Sequence, residues 1–159
     1  MKVTFYDLNT IGNDQLKYAV IVARHKGKWI FVKHKERETW EIPGGHREEG
    51  ENILDTASRE LKEETGALYF TTKPICIYSV STSETETFGQ LFLAEVETLE
   101  TLPNFEIGEL LLADMLPENL TYPLIQPYLF AKVEEFCLKN HHYNSRSKRN
   151  KRYQTLNQP

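Results

Sequence analysis

Long apolar runs are missing from this chain of 159 residues. No stretch approaches the ~18 residues that a membrane-spanning helix requires, so a helical span has nowhere to form. The opening MKVTFYDLNTIGND also lacks the apolar segment of a secretion signal. Cysteine is scarce. Cys76 and Cys137 stand alone, with no C-x-x-C and no histidine pairing beside them. That argues against a disulfide framework or a zinc site and leaves both as small buried hydrophobes. Internal repeats are absent. These absences lead to the expectation of a cytoplasmic protein with one globular core, consistent with 40% hydrophobic and 26% charged residues.

Charge is unevenly spread. The net charge is −4, yet residues 141–159 carry Arg146, Lys148, Arg149, Lys151 and Arg152 and no acid, +5 in all. The other 140 residues therefore hold 14 basic and 23 acidic groups, or −9. The basic stretch has almost no apolar residue. The expected organisation is a folded domain over 1–140 and a disordered extension over 141–159. Such an extension reads as solvated, with RNA binding as the alternative.

Periodicity and turn signals place the elements. Residues 17–23 and 29–33 are β-rich runs, with Gly27 between them where a hairpin turn needs it. Trp40-Glu41-Ile42 is held extended by Pro43, and Gly44-Gly45 permits a tight loop. A helix follows, capped by Glu51 or Asn52 and running to about Thr65. Ile53, Ala57 and Leu61 form its apolar stripe, and Gly66 suits its left-handed end. Strands are expected within 68–80, interrupted by Pro74, and over 88–96, joined by a polar hairpin loop at 81–87. A short strand at 109–113 precedes a second helix over 124–138, with Ile125, Leu129, Val133 and Phe136 on one face. Strands, helix, strands, helix gives an α+β fold, an α/β/α sandwich with a mixed β-sheet between helices.

The chemistry concentrates in GHREEGENILDTASRELKEETGA, Gly45–Ala67. Glu60, Glu63 and Glu64 lie three and four residues apart, so they project from one side of the helix. Like charges at that spacing repel by a few tenths of a kcal/mol per pair, roughly. A solvated acidic face is the ordinary meaning of such a run. Hard divalent ions offer another, because Mg²⁺ takes oxygen ligands and bridges carboxylates to substrate phosphates. A bound ion would also reconcile an acidic body with a phosphate-bearing substrate.

The spacing decides between these meanings. Gly45, five residues, Glu51, seven residues, then Arg59-Glu60-Leu61-Lys62-Glu63-Glu64-Thr65-Gly66 resembles the signature of the Nudix hydrolases, G-x5-E-x7-R-E-U-x-E-E-x-G-U, where U is a bulky aliphatic. Every fixed position matches; the departure is Ala67, smaller than the usual last residue. The resemblance implies the Nudix sandwich and Mg²⁺-dependent hydrolysis of a nucleoside diphosphate-linked substrate, with Mn²⁺ as an alternative ion. It implies Glu60, Glu63 and Glu64 as metal ligands, joined by the Gly44 carbonyl, and an orienting role for Arg59. Glu51 is expected to support the loop–helix junction, with proton acceptance as its other candidate role. The general base in this family can lie outside the signature. Candidates are Glu64, Glu84, Glu86, Glu106 and Glu109, and Glu106 is favoured because relatives place an extra carboxylate in that region.

Markers of ADP-ribose, NADH and dinucleoside polyphosphate enzymes of the family are absent. What remains resembles MutT-like nucleoside triphosphate pyrophosphohydrolases. Asn119, in Leu116-Pro-Glu-Asn-Leu120, could read a purine edge with its donor and acceptor, or cap a turn beside Pro117. Phe31, Tyr78 and Phe88 could stack on a base, although aromatics in strands are usually core. Three readings follow. The first is a pyrophosphohydrolase of nucleoside triphosphates, oxidised purines such as 8-oxo-dGTP foremost. The second is an RNA 5′-end pyrophosphohydrolase, and the third a non-catalytic nucleotide-binding module. The intact glutamate set argues against the third.

Overall fold

The computed structural model describes residues 1–140, and the expectations for 141–159 lie outside them. Seven strands, β1 (Lys2–Tyr6), β2 (Leu16–His25), β3 (Lys28–His34), β4 (Gly44–His46), β5 (Ala67–Ser81), β6 (Glu86–Leu99) and β7 (Ile107–Ala113), form one sheet. Two α-helices, α1 (Ile53–Thr65) and α2 (Gln126–Lys139), accompany it. The strand order is β1-β5-β6-β2-β3-β7, with β4 paired to β2. β2 and β6 run parallel and every other strand pair is antiparallel, so the sheet is mixed as expected. Among the described residues no helix is long and apolar enough to cross a membrane.

The two faces of the sheet carry separate cores, because successive side chains along a strand point to opposite sides. On one face, Ile53, Ala57 and Leu61 of α1 pack with Ile21, Ile30, Ile77 and Phe92. On the other, Leu129, Phe130 and Val133 of α2 pack with Val22, Phe31, Tyr78, Leu91 and Leu93. Cys76 and Cys137 are buried thiols in this second core.

Local chemistry explains the boundaries. Lys26 and Gly27 both take positive φ, 50° and 79°, the requirement of a two-residue hairpin between β2 and β3. The Asn52 side chain accepts from the Asp55 N–H at 2.9 Å and caps α1. Gly66 ends that helix at φ 74°, its N–H bonded to the Lys62 carbonyl. A side chain there would also strike the Glu100 carbonyl.

Four expectations are corrected. β5 does not break at Pro74; its register to β6 shifts between Pro74 and Cys76, a bulge that absorbs the missing N–H. Gly44–His46 is a strand and not a loop, because pairing to β2 outweighs the weak strand preference of glycine. β1 adds to the expected strands; Val3 and Phe5 alternate with polar neighbours and contact the α2-side core. On α2 Phe130 and Cys137 join Leu129 and Val133 as buried positions, which widens the apolar face, with Ile125 and Phe136 partly buried at its margin.

Candidate active site

The signature wraps around the start of α1. Arg59 is its hub. Its Nε and Nη2 bond the two carboxylate oxygens of Glu51, at 2.8 and 2.9 Å. Its Nη1 reaches Glu60 at 2.9 Å and Glu63 at 3.3 Å. Nη2 also donates to the His46 carbonyl, 3.1 Å away. Glu51 further accepts from the Glu48 N–H and the Thr56 hydroxyl, so loop and helix are joined through one carboxylate. The Arg59 hydrogen bonds hold Glu51 down at a pKa of about 2. The same pairing pushes Arg59 upward. Gly45 has no side chain where one would collide with the Glu60 carboxylate, which explains the glycine at that point.

Glu64 lies one turn past Glu60 and faces a different environment. It is buried, and its Oε1 accepts from the Gly44 N–H at 2.7 Å. His34 Nε2, at the end of β3, is 3.6 Å from Glu64 and 3.4 Å from Glu41. His34 Nδ1 is 3.9 Å from Glu106, just before β7. Glu41 is itself paired with Arg37. Burial pushes Glu64 up to a pKa of about 8, and the charges of Glu60, Glu41 and Glu106 add to the shift against the Gly44 hydrogen bond. Glu60 is shifted upward too, by burial first and then by Glu63 and Glu106, with Arg59 opposing. Carboxylates from α1, from the segment before β4 and from the segment before β7 thus repel one another across a small space.

The NUDIX domain profile matches residues 13–116. This chain belongs to the Nudix family. A Bacillus subtilis (strain 168) protein named "Putative 8-oxo-dGTP diphosphatase YtkD" is 36% identical over 110 residues, 69% of this chain and 69% of its own. A Bartonella quintana (strain Toulouse) protein named RNA pyrophosphohydrolase is 43% identical over 30% of this chain and 32% of its own. Among solved structures, a mutant form of the Bacillus subtilis pyrophosphohydrolase BsRppH superposes with a TM-score of 0.70. It is 29% identical and covers 84% of this chain and 90% of its own. The mixed sheet with its two helices is the Nudix fold.

Nudix hydrolases generally use divalent metals. The donor chemistry here suits such an ion, since all groups at the junction are hard oxygens with a surplus of negative charge. Among the described residues no three acidic, histidine or cysteine side chains converge on one point as they stand. The reason is visible in the side chains: Arg59 occupies Glu60 and Glu63, and the Gly44 N–H occupies one Glu64 oxygen.

The structure gathers Gly44, Glu51, Arg59, Glu60, Glu63, Glu64 and Glu106 around this junction. Other named residues fall elsewhere. Asn119 donates its carboxamide to the Glu38 carbonyl at 2.8 Å, and its own backbone carbonyl accepts from the Trp40 N–H. It therefore ties down the segment ahead of Glu41. Phe31 is 1% exposed in the α2-side core, packed near Phe130, and presents no face to a ligand. Tyr78 is buried in the same core. Phe88 packs on Tyr6 on the opposite, α1-facing side. Alternation along strands thus divides these three aromatics between two faces, and they cannot form one stacking site. Glu86 accepts from the Tyr6 and Ser79 hydroxyls, and Glu109 pairs with Lys33 at 3.0 Å.

Two residues of the junction, His34 and Glu41, lie outside the sequence expectations. His34 continues the inward register of Ile30 and Val32, a polar group in an apolar series, and that is the available signal. Nothing in sequence spacing ties positions 34, 41, 64 and 106 together.

Proposed function

We propose that this Nudix hydrolase splits nucleoside triphosphates into monophosphate and pyrophosphate, with an oxidised purine nucleotide such as 8-oxo-dGTP as the preferred substrate. The observation that carries this reading is the surplus of carboxylate at the α1 junction. Buried Glu64 faces the charges of Glu60, Glu41 and Glu106, and its own hydrogen bond comes from a neutral donor, the Gly44 N–H. Glu60, Glu63 and Glu64, with the Gly44 carbonyl, are the groups that would hold Mg²⁺, or Mn²⁺ in its place. A bound ion supplies stabilisation of charge developing on the phosphoryl oxygens.

The chain's own residues do the remaining work. Arg59 spans Glu51, Glu60 and Glu63 and so sets the orientation of two of the three glutamates. Glu51 fixes Arg59. Glu106, exposed before β7 and 3.9 Å from His34 Nδ1, is the group assigned in this reading to take a proton from the attacking water. The relative named for 8-oxo-dGTP supports the nucleotide assignment.

A second reading, hydrolysis of a triphosphorylated RNA 5′ end, is favoured by the likeness to BsRppH and to the Bartonella quintana RNA pyrophosphohydrolase. Binding without catalysis would leave the complete glutamate set without a purpose. A panel of 8-oxo-dGTP, dGTP, ADP-ribose and triphosphorylated RNA, assayed with Mg²⁺ and resolving pyrophosphate from orthophosphate, separates these readings. Pyrophosphate released from 8-oxo-dGTP at well above the dGTP rate is expected. Turnover confined to RNA ends selects the second reading, and no turnover at all selects the third.

A further inference from the structure

Register places five residues in one row across the sheet. Phe5 pairs with Tyr78, Tyr78 with Gly89, Gly89 with Tyr18, and Tyr18 with His46. Directly paired residues share a face, and Tyr78 faces the α2 side, so the whole row lies there. Gly89 leaves a notch in the middle. A Cβ at Gly89 would meet the Tyr78 Cζ and hydroxyl oxygen at 2.5 Å, so the Tyr78 ring leans over that gap.

The row ends in an exposed aromatic pair. Tyr18 is 41% exposed, and its ring meets His46 edge-on with centroids 5.1 Å apart. Tyr78 is only 5% exposed, and its hydroxyl has no hydrogen-bond partner among the described residues. No fully buried side-chain oxygen or nitrogen among those residues lacks a partner. The Tyr78 hydroxyl is therefore not completely sealed from the surface. A phenol held in a core with its polar end unmet is matched to an incoming hydrogen-bonding group.

The adjacent row, two residues along β2, pairs Val20 with Gly44, about 6.6 Å away by strand geometry. Gly44 donates its N–H to Glu64. Among the strands β4 pairs with β2 alone, and its other edge meets α1: the Gly44 N–H bonds Glu64 and the His46 carbonyl accepts from Arg59, so the Tyr18–His46 pair sits beside the acid junction.

We propose that Tyr18 and His46 stack the nucleobase of the nucleotide whose phosphates reach the α1 junction, and that the Tyr78 hydroxyl bonds that base's edge. This assignment rests on the nucleotide reading above. It holds for a free nucleotide and for the leading nucleotide of an RNA end, which share that chemistry.

Binding is measured by calorimetry on the full chain with the 5′-monophosphates of guanosine, adenosine, cytidine and uridine, with ribose 5-phosphate as the base-free probe, and with a 5′-phosphorylated trinucleotide beginning in G. Hydrolysis of triphosphates is followed in parallel. Tyr18→Ser is expected to reduce the preference for the mononucleotide over ribose 5-phosphate by roughly tenfold or more, the range that base–aromatic stacking carries. Tyr18→Phe, which keeps the ring, should recover most of it. Tyr78→Phe, which keeps the packing, should change the relative affinities for the four bases. Loss on the trinucleotide as well brings the RNA end into this site; loss on the mononucleotide alone assigns it to free nucleotides. A preference that survives Tyr18→Ser, or that Tyr18→Phe fails to restore, overturns the proposal. A wild type that binds through Tyr18 yet hydrolyses no triphosphate overturns the nucleotide-hydrolase reading and leaves the base site standing.

Discussion

Glu51 stands just before α1 and Glu64 near its end, and both side chains are mostly covered, at 17% and 8% exposure. Glu51 receives Arg59 on both oxygens together with a backbone N–H and a hydroxyl, and its pKa falls to about 2. Glu64 receives one backbone N–H, and burial first, with like charges adding, raises its pKa to about 8. One carboxylate holds the scaffold; the other is left short of positive charge. Burial is the largest cause of the rise at Glu64, whereas at Glu51 the Arg59 hydrogen bonds outweigh it. What differs is where the guanidinium of Arg59 goes, and the carboxylates it leaves underserved gather where a cation would be stabilised.

The largest effect is expected from removing charge among the three helix glutamates assigned to the metal. Glu63→Gln is expected to fold normally and to lose hydrolysis by two to three orders of magnitude, roughly, because charge stabilisation is the main contribution of such a site. Turnover at saturating Mg²⁺ tests this, and near-normal turnover removes Glu63 from the metal site.

The pH dependence of stability should show opposite limbs for the two carboxylates. Both groups titrate near 4.5 when unfolded. Folded Glu64 keeps its proton up to about 8, so metal-free protein should lose stability as pH rises from about 4.5 to about 8. The total is on the order of a few kcal/mol. Glu64→Gln should flatten that limb, and Mg²⁺ should raise the Tm more at pH 8 than at pH 5. Glu51 runs the other way. Its contribution is present above about 4.5 and lost as pH falls toward 2, and Glu51→Gln should remove that acid limb. Urea melts across pH in the presence of chelator read both.

At the satisfied end, Arg59→Met should cost roughly 1–3 kcal/mol by stranding Glu51 without its donor. Arg59→Lys should not restore it, since a single ammonium cannot bond both oxygens of Glu51 and still reach Glu60. Equal stability of the Met variant and wild type would dissolve the contrast.

The smallest effect is expected at Asn119, which touches neither carboxylate. Asn119→Ala should cost about 1 kcal/mol through the lost bond to the Glu38 carbonyl. The ratio of kcat/KM for 8-oxo-dGTP over dGTP should stay the same. A changed ratio would return Asn119 to base reading.

The helix and its signature were legible because their determinants are local. The Asn52 cap, the Ile53-Ala57-Leu61 stripe and the left-handed Gly66 each act within a turn or two of chain, and all appear where periodicity placed them. The hairpin at Lys26-Gly27 was legible for the same reason. The strand of Gly44–His46, the bulge after Pro74 and the splitting of Phe31, Tyr78 and Phe88 between two faces were not. Each depends on which partner strand supplies hydrogen bonds and in what register.

Sequence by itself determined the family, the α+β class, the spacing of Glu60, Glu63 and Glu64, and their clustering on one side of a helix. Those features rest on i, i+3 and i+4 geometry, which any helix enforces. Only the tertiary structure decided that Arg59 serves Glu51 first, that His34 and Glu41 join Glu64 and Glu106, and that Tyr18, His46 and Tyr78 share a row beside Gly44. Those outcomes depend on long-range strand pairing and on competition among charges for too few partners, and neither is written in the spacing of residues along the chain.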